Sequence, residues 1–126
     1  MNKIKEIIDK YIYDKSIKKY SRKYFNKAEE DEIFTNLNSE KDIDDKIRIL
    51  EYNIDYYKKN RPIYKDDIIN MEKLLGEYEI AVHRVLQCYD IVKFKYNANE
   101  IQQLIDNIEI YEKEIQELNL IRMCQD

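Results

Sequence analysis

Glycine and proline each occur once in this chain, as Gly76 and Pro62. They supply the backbone angles that tight turns require, so a fold made of many turns and short strands is excluded. One glycine cannot build a glycine-rich phosphate loop. Histidine also occurs once, as His83. Glu79 and His83 stand one helical turn apart, but a di-metal bundle needs two Glu-x-x-His pairs, and Cys88 lacks zinc-site spacing to His83. His83 therefore reads as a surface or boundary residue on the side of Gly76 and Ile80. Two cysteines, Cys88 and Cys124, are too few for a disulfide scaffold, and tryptophan is absent. No run of about 18 apolar residues exists, so no membrane span is expected. The N-terminal MNKIKEIIDKY carries charge through its apolar positions and lacks the core and cleavage site of a secretory signal. A reduced, cytoplasmic protein is the expectation.

What the chain has is charge and periodicity. Of its 126 residues, 44% are apolar and 38% charged, a mixture that with helical spacing makes amphipathic helices. Isoleucine, lysine, asparagine and tyrosine are abundant; their adenine- and thymine-rich codons point to a low-GC source, a bacterium, its phage or a similarly biased virus.

Met71, Leu75, Tyr78, Val82, Val85, Tyr89, Val92 and Tyr96 recur at spacings of four and three, widened by Leu74 and Ala81. This is a heptad seam on one long helix over residues 64–96. A second seam, Ile101, Leu104, Ile108, Tyr111, Ile115 and Leu118, predicts a helix over 100–123, with Asn99 as N-cap and Gln102 at its third position. So short a connection folds the two back as an antiparallel hairpin. With the turn centred near residue 98, position 88 faces about 108 and position 124 about 72, which keeps the cysteines apart. A third seam, Ile43, Ile47, Leu50, Ile54 and Tyr57, predicts a helix over 40–60, capped by Ser39, with Pro62 ending it or opening the next.

These helices carry second apolar lines: Ile49, Tyr52 and Tyr56 on the first, Ile69, Ile80, Ile91 and Phe94 on the next. A two-stranded hairpin buries one stripe per helix, so wider faces imply further neighbours or dimerisation. The first third, residues 1–34, is helical, basic and tyrosine-rich. Its apolar face switches sides near Asp14-Lys15-Ser16, so it is either broken there, with Ser16 capping a segment to about Phe34, or continuous with changing partners. Thr35–Asn38 reads as the following loop. The expectation is a single domain over 1–126, an all-α antiparallel bundle of four to five helices built on the C-terminal hairpin.

No catalytic constellation appears, and no cofactor, metal or small-molecule site is expected. The acidic run Glu29-Glu30-Asp31-Glu32 reads as a solvated face, because consecutive helical side chains point in different directions. Charge partition is the unusual feature. Residues 1–27 hold nine Lys or Arg against three Asp or Glu, whereas the remainder holds thirteen against twenty-three. Within the stretch YDKSIKKYSRKYF, residues 13–25, cations and aromatics alternate.

That stretch has three main readings. It packs on its own acidic body, with Lys and Arg stems covering apolar surface. It binds nucleic acid by neutralising phosphates and stacking on bases. Or it contacts another protein, with tyrosines as anchors and cations fixing register. Shallow insertion makes a membrane surface the weakest partner. The acidic remainder allows one more idea, mimicry of nucleic-acid phosphates in a target's groove. The expected function is a non-catalytic protein–protein interaction module, a regulator or inhibitor of a larger complex, with self-association open. Nucleic-acid binding is the alternative. The expected contact residues are Tyr13, Lys18, Lys19, Tyr20, Arg22, Lys23 and Tyr24.

Overall fold

The computed structural model describes residues 3–14, 21–37, 40–60, 64–92 and 96–125. Among them all regular structure is helical: α1 (Lys3–Asp14), α2 (Ser21–Tyr24), α3 (Lys27–Asn36), α4 (Glu40–Lys59), α5 (Lys65–Val92) and α6 (Ala98–Gln125). The helices pack on one another as an all-α bundle. Among the described residues there are six rather than four or five, because the N-terminal third is divided further than its apolar pattern suggests.

The centre is α5, with α4 and α6 packed on it. Glu51 of α4 meets Asn107 of α6, and Lys58 meets Glu114, a constant offset of 56 positions. So α4 and α6 run parallel. Only five residues join α5 to either neighbour, so α5 runs antiparallel to both. The predicted seams form the core. Ile43, Ile47, Leu50 and Ile54 of α4 are buried, as are Met71, Leu75, Tyr78, Val82 and Val85 of α5. All six seam residues of α6 are buried as well. Each such side chain taken from water contributes about 1.5–3 kcal/mol before the cost of ordering it. The side chains of Tyr89, Ile91 and Val92, and all of Phe94, lie outside the described residues.

Two details of the hairpin differ from expectation. Tyr78 meets Tyr111 edge to face, with ring centroids 5.5 Å apart, rather than facing position 118. The register is therefore shifted by seven residues. The cap of α6 is Asn97, not Asn99. Asn97 Oδ1 accepts from the Glu100 amide at 2.9 Å, and Glu100 Oε1 accepts from the Asn97 amide at 3.4 Å. A carboxylate in that place also meets the positive end of the helix dipole, which Gln102 cannot do. The expected cap of α4, Ser39, lies outside the described residues.

The N-terminal third wraps this core. Ile4 of α1 is buried, and α1 packs on α6. A segment running unbroken from Ser16 to Phe34 is not what forms. The chain leaves the helix at Phe25 and Asn26, and Asn26 starts α3 with a capping box to Glu29. Thr35 and Asn36, expected in a loop, complete α3. Residues 25, 34 and 37 meet 76, 83 and 84 in that order, so α3 runs in the same sense as α5.

Candidate partner-binding surfaces

The basic segment is docked through its non-basic side chains. Ser21 is buried, and its hydroxyl donates to Glu30 Oε2 at 2.7 Å. Phe25 lies over Gly76: a Cβ there would stand 2.9 Å from Phe25 Cε2 and 3.4 Å from Ser21 Cα. A glycine inside a long helix costs about 1 kcal/mol against alanine, and here it lets the arm approach α5 closely. The Tyr24 hydroxyl donates to Glu72. Burial, then that bond and the nearby charges of Glu72 and Glu112, raise the Tyr24 pKa above the ordinary range. Glu72 of α5 thus holds the aromatic end of α2.

Arg22 and Lys23 stay exposed, with Lys23 Nζ 5.3 Å from the Tyr24 ring centre. Tyr13 belongs to α1, but its side chain lies outside the described residues, as do Lys18, Lys19 and Tyr20 entirely. Of the seven expected contact residues, the structure thus brings together Arg22, Lys23 and Tyr24, with Tyr24 turned onto its own chain. The acidic run of α3 is also not uniformly solvated: Glu30 is buried against Ser21, and Glu29 completes the cap.

The second surface is the outer face of α4. Ile49, Tyr52 and Tyr56 are 54%, 70% and 57% exposed, at helical spacings of three and four. They form a stripe opposite the buried seam of the same helix. On α5 the second line fares differently: Ile80 is buried while Ile69 stays at the surface. Beside Ile49 lies a groove of about 370 Å³, walled by Glu32, Asp42, Asp45 and Glu77. Its one cation, Lys46, is held by Glu77 at 2.9 Å.

Between α4, α5 and α6 sits a polar cluster that the apolar pattern did not reveal. The Tyr78 hydroxyl donates to Glu51 Oε2 at 2.9 Å, and Asn107 Nδ2 donates to the same oxygen at 3.2 Å and to the Tyr78 hydroxyl at 3.3 Å. Burial, then the Glu51 charge, raises the Tyr78 pKa; burial likewise leads for Tyr111, and for Tyr96, whose hydroxyl donates to Asp44 at 2.8 Å. A hydroxyl held this firmly protonated is a poor nucleophile or base, and the cluster acts to fix register.

These shifts have a sign. The four tyrosines have folded-state pKa values above the ordinary 10.0, so their stabilising share is complete below pH 10 and lost as pH rises above it. Urea midpoints are expected to fall steadily from pH 10 to 12, with Tyr96→Phe flattening part of the slope. An unchanged midpoint across that window would contradict the buried hydroxyl geometry.

His83 is half-buried, its ring edge-on to Phe34 at 5.5 Å, in keeping with a boundary position. Among the described residues no three His, Cys, Asp or Glu side chains are grouped to hold a metal ion, and no helix is long and apolar enough to cross a membrane. Comparison with protein-family models, with curated proteins and with solved structures finds no match.

Proposed function

We propose that this chain is a non-catalytic protein–protein interaction module, a small regulator or inhibitor that acts by occupying a surface of another protein. The observation that carries the reading is the outer face of α4. One face of that helix closes the core, while the other holds Ile49, Tyr52 and Tyr56 in water. Tyrosine, with tryptophan and arginine, is enriched among interface anchors, because it adds large contact area with little rotamer entropy. The exposed Arg22 and Lys23 would then set orientation rather than supply the anchor.

Their exposure also supports a second reading, contact with nucleic-acid phosphates through the α2 end of the molecule. Affinity capture from source cells separates the two. Tyr52→Glu is expected to lower recovery of the bound protein roughly 30-fold, as loss of a hot-spot anchor does. Arg22→Glu with Lys23→Glu should lower it only a few-fold. Equal recovery by parent and Tyr52→Glu contradicts the α4 reading. Salt-sensitive retention of nucleic acid, lost in the charge-reversed variant, favours the second.

A further inference from the structure

We infer that the outer face of α4 takes a second copy of this chain, as two antiparallel α4 helices related by a two-fold axis at Tyr52. The inference rests on the reading of α4 as a protein-binding face and names its occupant. The charge order along the face carries it. From first turn to last the line runs Asp42, Asp45, Ile49, Tyr52, Tyr56, Lys59, all exposed but the half-buried Asp45: two acids at one end, where exposed Lys41 and Arg48 flank them, a cation at the other and apolar side chains between.

Antiparallel pairing about Tyr52 sets that residue against Tyr52 of the second copy. It sets Ile49 against the other Tyr56, and Asp45 against the other Lys59. Both ends match, and by symmetry each match occurs twice. Parallel pairing would instead put Asp45 on Asp45 and Lys59 on Lys59, which repel. The groove beside Ile49 adds to the match. Its walls carry Glu32, Asp42, Asp45 and Glu77 against one cation, Lys46, already bound to Glu77. In the antiparallel arrangement Lys59 of the second copy reaches this acidic mouth. Asp45 also accepts from Arg48 at 2.9 Å, which fixes its carboxylate at the rim without burying it.

Area sets the strength. Three partly exposed side chains leave on the order of 350 Å² per copy to cover, set against roughly 800 Å² per partner in a standard interface. The rim must supply the rest, so the dimer is weak, with a Kd between about 10 µM and 1 mM.

Sedimentation velocity on the purified chain, from low micromolar to about 1 mM, tests this directly. A concentration-dependent dimer is expected, absent in Tyr52→Glu. Lys59→Glu should weaken it about tenfold, since a charge reversal acts at two symmetric pairs. Adding Asp45→Lys to Lys59→Glu should restore it. In a Cys124→Ser background, Tyr52→Cys should crosslink to itself across the axis on mild oxidation. These substitutions sit on the exposed face, and circular dichroism checks that each variant stays helical. A monomer throughout the range, or a dimer indifferent to Tyr52→Glu and to the charge exchange, overturns the pairing. If the chain is monomeric while Tyr52→Glu still loses a different protein in the capture experiment, the pairing fails and the interaction reading stands. If capture too is unaffected, both fail.

Discussion

Replacing Tyr78 by alanine is expected to remove about 3–5 kcal/mol of folding stability, enough to unfold much of a marginal domain. Tyr78 is fully buried and lies where the three long helices meet. Its ring packs on Tyr111 and its hydroxyl is bound to Glu51 and Asn107. Truncation opens a cavity in the core and leaves Glu51 with one fewer donor. Tyr78→Phe separates the two contributions: the packing survives and only the hydroxyl goes, for an expected loss of about 1–2 kcal/mol. Urea denaturation of parent and both variants measures this. If Tyr78→Ala fails to fold, Tyr78→Phe still reads the polar part. Losses below about 1 kcal/mol for the alanine variant would mean that Tyr78 is not at the centre of the core.

Gly76→Leu is expected to release the α2–α3 arm while leaving the three long helices paired. The position has no room, since even a Cβ would crowd Phe25 and approach the Ser21 backbone. Leucine cannot be relieved by moving one ring tip, because Ser21 Cα is main chain and its hydroxyl is tied to Glu30. Overpacking of this kind costs about 1–3 kcal/mol, comparable to what one turn of docked helix can supply. The arm should therefore lift rather than the core unfold. Hydrogen exchange across residues 21–36 should rise at least tenfold, with α4 and α6 near parent rates. Gly76→Ala is the contrast: helix preference gains about 1 kcal/mol, offset by the small shift demanded of Phe25, so its arm should stay docked. Unchanged protection of the arm in Gly76→Leu would show that α2 does not sit on α5 as described.

Much of the core was legible in the sequence. The seams of α4, α5 and α6 were readable because burying one helical face leaves a spacing of three and four that little else produces. Register was not, because spacing repeats every turn; the choice of Tyr111 over position 118 depends on Glu51 and Asn107 meeting Tyr78 across three helices. The expected N-cap of α6, Asn99 with Gln102, lies two residues late; Asn97 with Glu100 meets the same spacing rule and adds a carboxylate at the positive end of the helix dipole. The break before α3 carried a readable sign, Asn26 with Glu29 three residues on, hidden inside strongly helical surroundings. No local rule finds Ser21–Glu30, since nine residues separate them and a chain reversal brings them together. For the candidate site, the second apolar line of α4 was visible but its fate was not. Ile80 is buried, whereas Ile49, Tyr52 and Tyr56 remain open.

The most direct single measurement is oxidative footprinting of the tyrosines, read by mass spectrometry, in dilute and concentrated protein. In dilute solution Tyr52, Tyr56 and Tyr64, all exposed, should be modified at least tenfold faster than Tyr78, which is fully buried. Concentration should then protect Tyr52 and Tyr56 and leave Tyr64 unchanged. Modification of Tyr78 as fast as Tyr52, or Tyr52 already protected in dilute solution, would contradict a helix with one face in the core and the other open to a partner.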